Sequence, residues 1–178
     1  MEEAKKVEEP KAESLRNKYN CLMLKFDVKN WDSFVHKLID PNDVYLSEKE
    51  GFGIESKPHV TVLFGIHDYV PTADVKKCLV PIRHIKCKTS IIDIFQNKDF
   101  DVVKFNIEGN YLKQMNKKLM ESVDYTTSHP EYKAHMTIAY VKPGTGVKYK
   151  KTLANLLVIT PTAYIYSKAD GTKEEFFL

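Results

Sequence analysis

Apolar and polar positions along the chain alternate in two rhythms, and the change of rhythm marks the elements. Residues 19–28, YNCLMLKFDV, have the apolar middle of a strand. Trp31, Phe34, Val35 and Leu38 then recur at helical spacing behind Asn30, which reads as an N-cap, and Asp40-Pro41-Asn42-Asp43 ends that helix. Residues 41–56 are polar with Gly51 and Gly53, a long loop, before a strand at 58–64. Pro71-Thr72 opens a helix predicted over 72–80, which Pro81 ends. Strands follow at 85–96 and 101–108 around the turn Asn97-Lys98-Asp99. Asn110 is placed to cap a helix bearing Leu112, Met115, Leu119 and Met120 on one face. Residues 126–133 read as a loop, 134–141 as a strand, and Pro143-Gly144-Thr145-Gly146 as a turn into a basic segment, 147–155, predicted helical. Strands at 156–166 and 173–178, with an Asp170-Gly171 hairpin turn, end the sequence.

The order is β-α-β-α-β followed by β-α-β-α-β-β. Near-duplication of this kind predicts an α+β fold of two lobes related by a pseudo-two-fold axis. Antiparallel or mixed sheets would surround a central cleft, with helices outside. The lobes interleave along the chain, so residues 18–178 read as a single bilobal domain. Residues 1–17 mix Glu and Lys with almost no large apolar side chain and read as a mobile charged arm.

One string is written twice. KPHVTV starts at Lys57 and KAHMTI at Lys133. Strand side chains alternate faces. Val60, Val62 and Phe64 therefore share an apolar face, and Lys57, His59, Thr61 and Leu63 the other. In the second copy Met136, Ile138 and Tyr140 share the apolar face, opposite Lys133, His135, Thr137 and Ala139. If the strands are neighbours across the axis, one cleft holds two imidazoles and two hydroxyls, with no carboxylate among them. That inventory suits phosphodiester cleavage. One neutral imidazole takes a proton from the attacking hydroxyl, and the other, as imidazolium, donates one to the departing oxygen. The Thr hydroxyls donate to the non-bridging oxygens, where charge builds. Two His alone are too few ligands for a closed zinc site, so the expectation is no metal and no cofactor.

Composition adds little. The chain has 178 residues, 43% hydrophobic and 29% charged, as in ordinary soluble domains. A net charge of +3 is too mild to argue for long nucleic acid and suits a small anionic ligand. Three cysteines without metal spacing point to a reducing, cytoplasmic compartment. Cys21 and Cys87, inside apolar runs, read as core thiols. No run of apolar residues is long enough to span a membrane. Nothing in the sequence fixes an oligomeric state, and a monomer is the default.

Paired H-x-[T/S] strands in a duplicated frame resemble the 2H phosphoesterase superfamily, which includes 2′-5′ RNA ligase-like proteins and cyclic phosphodiesterases. The longer strings GIESKPHVTVLFGIHD and YKAHMTIAYVKPGTGVKY are similar to a phage subgroup, the anti-CBASS phosphodiesterases, which linearise cyclic di- and trinucleotide alarm signals. The resemblance covers residues 19–178. It implies catalysis by His59, Thr61, His135 and Thr137 without a metal, on a cyclic oligonucleotide or short oligoribonucleotide. If the chain is phage-encoded, its place is the host bacterial cytoplasm.

Further candidates surround the motifs. Lys57 and Lys133 share the His faces and could steady phosphates. Tyr19, Phe52, Tyr111, Tyr164 and Tyr166 are possible base-stacking platforms. Lys142 with the PGTG turn could form a phosphate rim, and His67 could stand at the cleft edge. Tyr140 and Trp31 read as core. His36, His84 and His129 read as structural or surface residues. The KYKK run at 148–151 reads as a solvated face that could also attract anions.

Overall fold

A computed structural model describes residues 18–48 and 51–178. The arm at 1–17 lies outside the described residues. Among the described residues the architecture is α+β: nine strands, antiparallel wherever they pair, with three helices. In chain order the strands are β1 (Asn20–Phe26), β2 (His59–Ile66), β3 (Cys87–Gln96), β4 (Asp101–Asn106), β5 (Glu108–Gly109), β6 (His135–Val141), β7 (Lys151–Ile159), β8 (Pro161–Ser167) and β9 (Lys173–Phe176). The helices are α1 (Trp31–Leu38), α2 (Thr72–Lys76) and α3 (Leu112–Ser122). Spatial order is β5-β3-β4-β6-β2-β1-β8-β9, with β7 also paired to β3.

The pseudo-two-fold axis runs between β2 and β6, which meet through a single partnership, Val60 with Met136. On one side Lys25 lies opposite His59 and Met23 opposite Thr61. On the other, Asn106 lies opposite His135 and Lys104 opposite Thr137. The copies share an irregularity as well. Val62 is an extra residue between Thr61 and Leu63, and Ile138 an extra residue between Thr137 and Ala139. These are β-bulges, and a bulge resets the alternation of faces. Hence Leu63 is buried with Val60 and Val62, while Phe64 turns half-exposed to the histidine side, the reverse of the sequence expectation. Tyr140 makes the same switch and is half-buried rather than core. The bulge carbonyls are satisfied: Asn116 Nδ2 of α3 donates to Val62 O at 2.8 Å, and the Glu55 amide donates to Ile138 O at 2.9 Å.

Past the bulges β2 and β6 part, and each acquires a loop as its new neighbour. The loop before β2 lies along β6, bridging Val44 to Val141 and Ile54 to Ala139. The loop before β6 lies along β2, bridging Tyr125 to Ile66. Helices cross over in the same manner. Phe34 of α1 stacks on Phe105 of β4, ring centroids 5.7 Å apart, whereas Met115 of α3 reaches Tyr164 of β8. The core is the aliphatic side of the sheet, with Leu22, Leu24, Val60, Phe105, Met136 and Tyr164 buried beneath these helices.

Several local expectations are corrected. The basic segment 147–155 is a 3-10 turn, Gly146–Tyr149, followed by β7, because it is β-branched and leucine-rich beyond Lys151 and pairs with β3. The strand expected at 156–166 is two strands, broken before Pro161. The helix expected over 72–80 ends at Lys76. Asn30 stands at the N-cap of α1 without a side-chain bond, held in left-handed backbone at φ 60°. Asn110 does not cap α3: Tyr111 occupies that place, and Asn110 instead bonds the Lys86 amide and the His84 carbonyl. Cys87 is a core thiol that burial pushes up to about 11, but Cys21 faces the histidine side opposite Phe64 and is half-buried.

Candidate active site

Each histidine begins its strand beside the axis. Continuing the antiparallel register from the Val60–Met136 partnership sets His59 beside Thr137 and Thr61 beside His135. The four side chains thereby share one side of the sheet, on two strands that diverge beyond them. Both rings are oriented in the same way. His59 Nδ1 lies 2.8 Å from Lys57 O, and His135 Nδ1 lies 2.8 Å from Lys133 O. A carbonyl only accepts, so Nδ1 carries the proton in each ring, and Nε2 is the atom left for proton transfer. His59 and His135 are close enough that the charge of one acts on the other.

Their surroundings differ. Glu55 Oε2 is 4.0 Å from His59 Nδ1, and its Oε1 accepts from the Lys57 amide at 2.9 Å. The equivalent Glu131 turns away to Lys133 Nζ at 3.4 Å. Both carboxylates belong to one extended repeat, E-x-K-x-H-x-T, whose first member the shorter repeat omits. His135 packs edge-on against Phe95, centroids 4.9 Å apart. Desolvation, with the charges of Lys104, His59 and His129, holds the His135 imidazole below the ordinary histidine range. Thr137 is buried and Thr61 half-buried. No three His, Cys, Asp or Glu side chains among the described residues are grouped to hold a metal ion.

No protein-family model matches the sequence, and a search of curated proteins finds no match. Solved structures do match. Usb1 of Kluyveromyces marxianus, in a structure with uridine monophosphate, has a TM-score of 0.54 at 7% identity, covering 92% of this chain and 100% of that one. A second structure of the same protein gives 0.51 at 7% identity, covering 91% and 99%. E. coli LigT complexed with phosphate gives 0.46 at 15% identity, covering 90% and 95%. The likeness is one of fold. It agrees with the duplicated α+β architecture expected from the repeat.

The remaining candidates divide. Tyr19 stacks on His67 at 5.6 Å and meets Phe64 edge-on at 6.5 Å, on the histidine side of β1 and β2. Across the axis Phe52, Phe100 and Tyr140 form a second aromatic group with Tyr45. Lys57 contributes its carbonyl to His59, and its side chain is exposed. Lys133 is exposed near the cleft, where its charge acts on Lys104. Two candidates are corrected. Tyr164 is fully buried on the core side, donating to Val80 O at 2.8 Å, because its register partner Leu24 faces the core. Tyr166, opposite Leu22, is buried in the same way. Tyr111 is the exposed N-cap residue of α3, in left-handed backbone at φ 64°. Lys142 Nζ is engaged with Asn42 O at 2.7 Å.

The glycine turn beside Lys142 is not open to phosphate either. Its amides at Gly144 and Gly146 donate to Asp101 Oδ2 at 2.9 and 3.0 Å. Asp101 is 1% exposed, so the turn is built around an internal carboxylate. Asp101→Ala strands both amides and is expected to cost about 3 kcal/mol. Asp101→Asn keeps an oxygen in place and should cost about 1 kcal/mol. Urea unfolding of the two variants checks the difference.

No helix among the described residues is long and apolar enough to cross a membrane.

Proposed function

We propose that this chain is a phosphodiesterase of the 2H type that cleaves 3′-5′ bonds of cyclic di- or trinucleotides, so that a phage carrying it escapes CBASS-type defence. The observation that carries the reading is the mirrored pair of imidazoles. Each presents Nε2 from the same bond to its own i−2 carbonyl, and each is followed two residues on by a Thr hydroxyl. The asymmetry supports a division of roles. His135, held below the ordinary range and flanked by an ammonium, is the base: its Nε2 takes the proton from a ribose 2′-hydroxyl or a water. His59, with Glu55 at 4.0 Å as countercharge, is the acid: its imidazolium gives a proton to the 5′-oxygen as the P–O5′ bond breaks and the new P–O bond forms. Thr61 and Thr137 donate to the non-bridging oxygens. When the 2′-hydroxyl attacks, the first product carries a 2′,3′-cyclic phosphate.

A second reading, an RNA-end or 2′-5′-oligonucleotide phosphodiesterase, uses the same four residues, and Usb1, which shares the fold, was solved with a ribonucleotide, uridine monophosphate. A panel decides: cyclic dinucleotides, cyclic trinucleotides, 2′-5′-oligoadenylate and an RNA ending in a 2′,3′-cyclic phosphate, with EDTA present and products weighed by mass spectrometry. Ring opening fastest on the cyclic members is the expected result. Activity confined to the RNA end moves the assignment to the second reading, and binding of all members without turnover makes the protein a nucleotide sponge.

The role assignment makes its own prediction. The base must be unprotonated, so kcat/KM rises as pH passes upward through the value of His135. That value is depressed, so the acid limb should lie below about 6.5, the ordinary histidine value. A limb at or above 6.5 removes His135 from the role of base.

A further inference from the structure

Lys104 is 4% exposed, yet it lies on the histidine side of β4, directly across from Thr137. Its Nζ donates to Asn106 Oδ1 and sits 4.2 Å over the Phe95 ring. Asn106 is held in turn by its own donation to Asp93 Oδ2 at 3.4 Å, which leaves its oxygen turned to the lysine. A buried ammonium with a neutral amide as hydrogen-bond partner is a costly arrangement, and desolvation lowers its proton affinity accordingly. The charge of Asp93 acts on it in the opposite sense, and Lys133 and Lys150 add their charges nearby. Asp93 is engaged with Lys150 at 3.4 Å and Glu131 with Lys133 at 3.4 Å. Three ammoniums thus face two carboxylates, and the buried one has no carboxylate at hydrogen-bond distance among the described residues.

Among the described residues the other lobe has nothing similar. Met23 holds the position equivalent to Lys104, and Ile165 that equivalent to Asp93. Lys25, at the place of Asn106, is already paired with Glu175 at 3.3 Å. The surplus positive charge therefore belongs to one end of the cleft. It also lies off the axis. With strands about 4.8 Å apart, β4 is about 7 Å from the line between β2 and β6. The ammonium leans further out, toward Phe95 of β3. The scissile phosphorus, held between the two histidines, is on the axis.

We infer that Lys104 and Asn106, with Lys133 and Lys150 at the rim, form a second phosphate subsite, and that the substrate carries a phosphate one nucleotide beyond the scissile one, laid over the His135 lobe. This rests on the proposed phosphodiesterase reading for the position of the scissile group. It makes compounds with two or more phosphates, cyclic dinucleotides among them, the favoured class over dinucleoside monophosphates.

The test compares cyclic di-AMP, with two phosphates, and adenylyl-(3′→5′)-adenosine, with one. Lys104→Met puts here the residue that the pseudo-equivalent position already has. Read for each protein at its own pH optimum, so that the loss of the Lys104 charge beside His135 does not enter, it is expected to lower kcat/KM on cyclic di-AMP about 30-fold, the scale of a lost charge-assisted bond, and on the linear compound at least tenfold less severely. Equal losses on both, or no loss on the ring, overturn the inference. Dissociation constants of both compounds, measured by calorimetry on His59→Ala protein with and without Lys104→Met, give the same comparison without turnover. A selective loss of ring binding, together with wild-type protein that cleaves neither compound, keeps the subsite and removes only the catalytic reading. Failure to bind the ring at all overturns both. Should Lys104→Met not fold, the exposed rim variant Lys150→Met replaces it, with about a threefold loss on the ring alone expected. No difference there overturns the subsite.

Discussion

His59→Ala and His135→Ala are each expected to lower turnover at least 10³-fold, and the double variant little further. A general acid or base is worth about 10²–10⁴-fold, and both act here on one displacement, so removing the second finds little left to remove. The loss must be separable from unfolding. Both rings are half-buried, and each hydrogen-bonds the backbone carbonyl two residues before it, so stability should change by no more than about 1 kcal/mol. Thr61→Ala and Thr137→Ala should cost less, about 10²-fold each, as single donors to a developing oxyanion do. Turnover on the substrate panel, beside a thermal melt of each variant, checks all four. Wild-type turnover in either histidine variant would sink the two-imidazole mechanism outright.

The legible part of this molecule was the part written twice. One short string, repeated, predicted the duplicated α+β fold and the approach of His59 to His135, because period-two alternation ties a sequence position to a face as long as the strand stays regular. The failures begin where regularity ends. Phe64, Leu63 and Tyr140 were assigned by parity, and the bulges at Val62 and Ile138 reversed that parity. A bulge has no sequence signature of its own beyond its recurrence in both copies. Tyr164 and Tyr166 were open as platforms because a tyrosine in a strand carries no mark of which face it takes; pairing with Leu24 and Leu22 put both inside. Lys104 was invisible. A lysine amid DVVKFN lies outside the repeated string, and only its pairing with Thr137 places it in the cleft. Glu55 had a signal that the shorter repeat passed over: a Glu four residues before each histidine. Basic residues 147–155 read as helix although no apolar period runs through them, whereas β-pairing with β3 decided the matter.

Gly65→Ala is the single methyl group expected to damage the protein most. Gly65 has φ +95°, where side chains are strained, and an added Cβ would sit 1.9 Å from Thr126 O and 2.9 Å from its carbonyl carbon. These are backbone atoms, held by the Thr126 amide to Gly65 O at 2.9 Å and the His67 amide to Asp124 O at 3.0 Å, so neither strand nor loop can yield without breaking the bridge. The strain alone is about 1–3 kcal/mol, and with the lost bridge the total should exceed about 3 kcal/mol. Gly171 supplies the control. It has φ +89° and open space around its Cβ direction, so Gly171→Ala reports the conformational term by itself, about 1 kcal/mol. The difference between the two, read from urea unfolding, is the cost of pushing residues 124–126 off β2. That cost bears on the site. The displaced loop leads through Glu131 and Lys133 to His135, and the Lys133 carbonyl is what orients the second imidazole. Gly65→Ala protein that remains folded should therefore lose activity while keeping His59 and Thr61 in place. Equal destabilisation by both alanines would mean that the loop is not docked on β2 in solution, and the alignment of His135 would then need a different support.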